Sequence, residues 1–335
     1  MISRVAEACF WLHRYMERVE STARMLDANL SLVLDARVPV YDRWHPQVIV
    51  TGERERFAAL FGPDAAADRE VVQRYLVWDE RNPVSIASSL RWARENARTI
   101  RETINLEMWE ALNGFWLWLS EGKGERLWEK DRHAFYERVK TRCHAFHGIS
   151  QATMLHETPF DFMRLGMLLE RAGQTARLLD VKFHLLGPTR PGAETAVESA
   201  QWLALLRSCS ASEAFLKRHR SAMTGAAVVG FLLLEERFPR SVLHALDRAW
   251  NFHRRVRAPA GEEPGAAGEL GASSGGALEA LLASLRGRTI DEVLEAGLHE
   301  ELTRVIDATA AVCLAVQADF FDPPVPQAAG EAAPA

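Results

Sequence analysis

Two stretches 153 positions apart hold the residues of this chain best suited to chemistry: Glu17, Glu20, Arg24 and Asp27 in the first, Glu170, Arg177 and Asp180 in the second. Glu17, Arg18, Thr22, Ala23, Arg24, Leu26 and Asp27 all recur at that one offset, with apolar residues kept apolar between them. Carboxylates and guanidiniums gathered out of water can do two kinds of work. They can move protons at a reacting atom once burial or a neighbour has shifted a carboxyl pKa. They can also grip a polar or anionic ligand through paired N–H donors.

The first stretch must be positioned by a helix. At about 100° per residue, His13, Glu17, Glu20, Arg24 and Asp27 fall within an arc of roughly 80°. Opposite them runs an apolar stripe of Val5, Leu12, Tyr15, Val19, Ala23, Leu26 and Leu30, so the spacing predicts one long helix over 2–36. Taken alone, such a face is solvated and laced with weak pairs, Glu20 to Arg24 at i,i+4 and Arg24 to Asp27 at i,i+3. Its repetition argues for more. In the second copy His13 and Glu20 are replaced by Gly166 and Gly173, and a helical glycine costs about 1 kcal/mol relative to alanine. Two of them on one face predict another helix passing close by. The expectation is that the two polar faces meet across a pseudo-twofold axis, with Glu17 and Arg24 set against Arg177 and Glu170 or their neighbours. A buried network of this kind either fixes the register of two halves or lines a site.

A second cluster is Arg94, Glu95, Arg98 and Arg101. Arg94, Arg98, Arg101 and Asn105 follow i,i+4,i+7,i+11 and share a face of one predicted helix, as do Glu95 and Glu102. Such a row can clamp phosphate or carboxylate, or pair with acids on the next helix. The second half keeps only Arg254 and Arg257 of it. Other chemical signatures are missing: there is no Gly-rich phosphate loop and no G-x-S-x-G, and no Glu has a His three residues later, as a di-iron bundle needs. Cys143 with His147 and Asp180 with His184 are i,i+4 pairs without a third ligand, so no metal or cofactor is expected.

The repeat extends beyond the helix. Trp44 and Phe57 match Trp202 and Phe215, and the run Asp79 to Ser85 is echoed by Glu235 to Ser241. Two tandem helical-bundle repeats are therefore expected, residues 1–150 and 151–320, related by internal duplication. Further helices are predicted over 41–60, 70–78, 83–119 opened by Asn82-Pro83 as cap and first residue, and 127–150. The second half adds 159–186 with a stop at Gly187-Pro188, then 195–217, 222–236, 240–257, 278–286 and 290–318. The Ala/Gly/Ser/Glu stretch 258–276 reads as a flexible insert and 322–335 as a disordered tail. No run alternates like a half-buried strand, so the fold class is all-α.

Composition bounds the rest. The chain has 335 residues, 48% hydrophobic and 25% charged, with a formal charge of −5: an ordinary globular make-up with no electrostatic reason to bind nucleic acid. The longest apolar run, Gly225 to Leu234, is about half of the roughly 20 residues a bilayer needs, so no membrane association is expected. The charged N-terminal pattern reads as an amphipathic helix and not a signal peptide, which makes a cytoplasmic location the expectation. Cys9, Cys143, Cys209 and Cys313 lie far apart and read as free thiols, mostly buried.

The runs Met1 to Glu7, Trp11 to Arg24, Ala93 to Arg98, Glu107 to Trp109, Leu169 to Asp180 and Pro239 to Val242 together resemble the bacterial alpha-E family, over most of the chain to about Arg257. His13 departs from the small residue usual there, so no family role falls on it. The resemblance implies association with a circularly permuted ATP-grasp protein, and with a transglutaminase-like cysteine peptidase, in a system that makes or modifies peptides. The expected function is an accessory all-α partner that binds such a ligase or presents its substrate. The alternative is an enzyme using Glu17, Glu20, Glu170 and the arginines for acid–base or acyl-transfer chemistry.

Overall fold

A 33-residue helix, α1 (Ser3–Asp35), forms with α9 (Thr158–Leu186) the most extensive helix pairing in the computed structural model. The structure describes residues 2–35, 40–186, 196–219, 223–257 and 273–322. In α1 Leu12, Met16, Val19, Ala23 and Leu26 are completely buried, each large side chain contributing about 1.5–3 kcal/mol of transfer free energy. The polar side is buried as well, Glu17 and Glu20 almost completely and Arg24 and Asp27 for the most part. A helix buried all round must lie inside a bundle.

The bundle follows in order as α2 (Val40–Val50), α3 (Arg54–Phe61), α4 (Arg69–Val77), α5 (Ile86–Thr99), α6 (Leu106–Ser120), α7 (Lys123–Lys130), α8 (Arg132–Thr153) and α9 (Thr158–Leu186). The second half continues with α10 (Ala196–Ser208), α11 (Ser212–Arg218), α12 (Gly225–Leu234), α13 (Val242–Arg257), α14 (Ser274–Ala283), α15 (Ile290–Glu295) and α16 (Leu298–Val316), which ends in a π turn, Gln317–Phe321. No strand occurs among the described residues, in keeping with the all-α class. Helix α1 packs on α5, α8, α9 and α10, while α9 packs on α1, α2, α13 and α16. One continuous core joins residues from Ala6 to Phe321. No helix of the described residues is long and apolar enough to cross a membrane. Cys9, Cys143 and Cys209 are buried and free, and Cys313 is half-buried and free.

Several expected helices are broken, each for a local reason. The 41–60 segment is two helices, α2 and α3, parted at Gly52, whose φ of 78° only glycine adopts cheaply. Asn82-Pro83 does not start α5. Asn82 closes a turn, its Oδ1 accepting from Val84 N at 2.9 Å and its Nδ2 donating to the Tyr75 carbonyl at 3.0 Å. The cap is Ser85, whose hydroxyl accepts from Ser88 N at 3.1 Å. The 83–119 segment also breaks after Thr99 and restarts where the Asn105 side chain accepts from Met108 N at 2.9 Å. Asp131, with an extended backbone, caps α8, so the expected 127–150 helix is the end of α7 parted at that residue from α8. Similar breaks at Ser210 and Gly297 divide 195–217 and 290–318. Each cap is worth about 1 kcal/mol.

The end of the expected insert is ordered: Ser273 caps α14, and Ser274 is buried with its N and Oγ donating to Asp319 at 2.7 and 2.6 Å. The rest of that insert, the expected helix end at 36–39, the Gly187-Pro188 stop and the tail beyond Asp322 lie outside the described residues.

Candidate functional site

Helices α1 and α9 touch at their backbones. A Cβ on Gly166 would sit 2.3 Å from the Phe10 carbonyl oxygen, so glycine there is the condition for the crossing, as its place on the polar face predicted. Gly173 is different: a Cβ on it meets nothing nearer than Thr309 Cγ2 at 3.7 Å, an ordinary contact with α16. The expectation of a close helix passage fails at that position.

The crossing brings the acidic residues of each helix under the arginines of the other. Glu17 accepts a two-pronged bond from Arg171, Nε at 3.0 Å and Nη2 at 2.7 Å, and a third from Arg240 Nη1 at 2.9 Å. Glu170 accepts from Arg18 at 2.7 and 3.0 Å and from Arg14 at 3.1 and 2.9 Å. The Glu-Arg dipeptides 17–18 and 170–171 thus exchange partners reciprocally, Glu17 with Arg171 and Glu170 with Arg18. Glu20 is held by Arg24 of its own helix at 2.9 and 2.8 Å, and by Arg240. Arg24 also reaches the Ser210 hydroxyl, and His144 Nε2 stands 2.5 Å from Arg24 Nη2 and 3.1 Å from Glu20 Oε1.

The expected pairing of Glu17 and Arg24 with Arg177 and Glu170 or their neighbours takes a specific form at Glu17 and is not met at Arg24. The two acids pair across the crossing, but with Arg171 and Arg18. Arg24 stays with Glu20, and Arg177 has no carboxylate within ion-pair distance among the described residues. Asp27 and Asp180 end the row on their own partners, Asp27 with Lys140 at 2.7 Å and His133 at 2.6 Å, and Asp180 with His299 at 2.7 Å. The second cluster stays apart. Arg94 and Arg98 pair with Glu95 at 3.1 and 2.8 Å, and Arg94 with Asn113. Arg101 lies past the end of α5, over the Trp109 ring. None of these shares a partner with Glu17, Glu20 or Glu170.

Electrostatics decides what the carboxylates can do. Burial alone raises their pKa, but at Glu17 the Arg171 and Arg240 guanidiniums outweigh it and leave the value lowered. At Glu20 burial is likewise overcome by Arg240 with His144, His147 and Arg24, leaving it well below the usual range. Glu170 is depressed by Arg18 and Arg14 against its burial. Carboxylates so held stay ionised and have their lone pairs occupied, which makes them poor general acids and poor bases. Behind them burial keeps two imidazoles neutral: His147 is pushed down to about 4 and His13 well below its ordinary value. His147 Nε2 is 3.9 Å from Glu20 Oε2.

Glu17, Glu20 and His147 offer ligand atoms within 4.8 Å of one another, a spacing that could hold a metal ion. The three guanidiniums of Arg24, Arg171 and Arg240 already neutralise that pair of acids, and a cation entering there meets their repulsion. In the Asp27, His133 and Glu137 group, Lys140 Nζ bridges both acids and so already occupies the space between them.

Arg14, Arg18, Arg171, Arg240, His144 and Lys140 were not singled out from the sequence as site residues. For Arg18 and Arg171 the signal was present, because both belong to the recurring stretches.

The model of a family described as a predicted alpha-helical domain with a conserved ER motif matches residues 1–321. Uncharacterized proteins of Mycobacterium bovis and of two Mycobacterium tuberculosis strains are 24% identical over 348 residues, covering 93% of this chain and 37% of each relative. The chain thus spans little more than a third of the length of the curated relatives it matches. No solved structure matches. On the extent of the family match, the chain belongs to the alpha-E family.

Proposed function

We propose that this chain is a non-catalytic helical module that works beside a second protein or domain, an ATP-grasp amide-bond ligase, either docking on that enzyme or presenting its substrate during peptide synthesis or modification. The observation that supports this reading is the length relation: in the mycobacterial relatives the matched region is 37% of a longer polypeptide, which leaves length in those polypeptides for a partner domain. The ligase identity rests on the family resemblance. The state of the acids supports the non-catalytic part, since Glu17, Glu20 and Glu170 are each held by at least two guanidiniums.

The module is further proposed to be two duplicated repeats, 1–150 and 151–320, related by a pseudo-twofold axis. Three features support this: the common offset of 153, the exchanged Glu–Arg pairs, and the cross-packing of α2 on α9 and of α10 on α1. The pairs Asp27 with His133 on α8 and Asp180 with His299 on α16 fit the same relation. On this reading the Glu–Arg exchange is the clamp that sets the register of the halves.

Co-expression with the ATP-grasp protein, followed by size-exclusion chromatography, tests the proposal. A complex that co-elutes at fixed stoichiometry is expected; separate elution over a wide concentration range contradicts it.

A further inference from the structure

Laid on α1 at the offset of 153, α9 differs where it matters for charge. Arg24 has its counterpart in Arg177, but Glu20, which holds Arg24, has its counterpart in Gly173. The acid is missing and its guanidinium remains. At that place lies a half-open cavity of about 80 Å³ between α1, α9 and α16, whose walls include Arg14, Arg18, Glu170, Gly173, Arg177 and Cys313. Its ionised lining is three arginines against one glutamate. Glu170 engages only Nε and Nη2 of Arg14 and of Arg18, which leaves the Nη1 group of each uncommitted to it. Arg177 meets no carboxylate among the described residues. Glycine is not demanded by packing there either, because a Cβ on Gly173 would meet Thr309 Cγ2 at 3.7 Å, an ordinary van der Waals contact.

We propose that this cavity binds the terminal oxyanion group of a small ligand, a carboxylate or a phosphate, seated in α9 where α1 carries the Glu20 carboxylate. Arg177 offers the paired N–H edge that suits either group, the Nη1 groups of Arg14 and Arg18 flank it, and Glu170 fixes those two side chains in place. The volume is about that of two or three waters, enough for a headgroup and too small for a whole nucleotide, so the remainder of the ligand lies outside the mouth. The site stands whichever partner the module serves.

Cys313 makes it testable. It lines the cavity and is the half-buried cysteine, the other three being buried, so alkylation of the native chain reports on this wall. Burial already raises its pKa, opposed by Arg14. A bound anion both covers the thiol and opposes thiolate formation.

The experiment follows iodoacetamide modification of Cys313 by mass spectrometry, in the full chain at fixed ionic strength set with sodium chloride, during titration with sodium acetate or inorganic phosphate. Saturable, several-fold protection by one or both is expected, and the anion that protects more strongly identifies the headgroup. Arg177→Met should abolish the protection. Gly173→Glu, which restores the missing acid, should slow alkylation without added anion and remove the response to it. Protection that is equal in wild type and Arg177→Met, or that neither anion gives above chloride, overturns the proposal. Arg177→Met decides the matter should Gly173→Glu fail to fold.

Discussion

Replacing Glu17 by glutamine keeps the shape of the side chain and removes the buried charge that two partly buried guanidiniums share. Arg171 donates to it at 3.0 and 2.7 Å and Arg240 at 2.9 Å, and the carboxylate has no exposed surface. An amide offers one acceptor in place of two and turns an NH2 group toward donors. Breaking a buried pair by removing one partner costs about 3–5 kcal/mol, because the remaining charge is left without compensation. Against the 5–15 kcal/mol typical of a whole fold, a loss of about 4 kcal/mol is severe. The assay is urea unfolding at pH 7.5, followed by far-ultraviolet dichroism and by tryptophan fluorescence, in a double-mutant cycle with Arg171→Met. Partners that share a network couple by about 0.5–3 kcal/mol, so the double variant should be more stable than the sum of the single losses by at least 1 kcal/mol on that scale. Glu17→Gln with Arg177→Met, which are not partners, should add within about 0.5 kcal/mol. A single-variant loss below about 1 kcal/mol, the range of exposed pairs, or strict additivity with Arg171→Met, refutes the clamp.

Stability should fall as pH drops from 6.5 toward 4. His147 and His253 are pushed down to about 4 by burial and His13 well below 6.5, so the unfolded chain binds protons there that the folded chain refuses. Each such imidazole contributes about 1.4 kcal/mol per pH unit. Below 4.5, protonation of Glu17, Glu20 and Glu170, whose folded pKa values are depressed, adds to the loss; a melting temperature unchanged from pH 7 to 5 contradicts this. Gly166→Ala should destabilise by about 1–3 kcal/mol through overpacking, despite an intrinsic helix gain of about 1 kcal/mol, because the new methyl meets the Phe10 carbonyl; a gain in melting temperature counts against the backbone crossing. Asp131→Ala should cost about 1 kcal/mol in urea unfolding through loss of the α8 cap. Arg98→Ala, at an exposed pair, should change stability by less than about 0.5 kcal/mol, which separates the α5 row from the crossing in the same assay.

The long helices were legible because period and length agree: Leu12, Val19, Ala23 and Leu26 mark the buried side of α1, and the end of its polar row was readable from the repeated Glu and Asp. Gly166 was legible for the same reason. The partners of the clamp's arginines were not, although Arg18 and Arg171 belong to the recurring stretches. A helical projection locates Cα positions, and Arg18 lies about 100° from Glu17, yet its long side chain reaches across the crossing to Glu170 at 2.7 Å. Arg240 comes from 223 residues beyond Glu17, and no local pattern joins them. Helix breaks were missed where a polar residue inside a plausible helical run serves as a cap, as Ser85, Asn105 and Asp131 do. Asn82 fits a cap in the sequence and closes a turn in the structure because its side chain bonds locally in either role, and only the position of Ser85 three residues on decides between them.

The measurement that bears most directly on the central claim is ATP turnover by the ATP-grasp protein proposed as its partner, across amino-acid and peptide acceptors, with and without this chain at equal enzyme concentration. Acceptor-dependent turnover that appears or rises several-fold only when the chain is present is the predicted result. Identical turnover in its presence and absence, for every acceptor that the ligase uses, contradicts the accessory role.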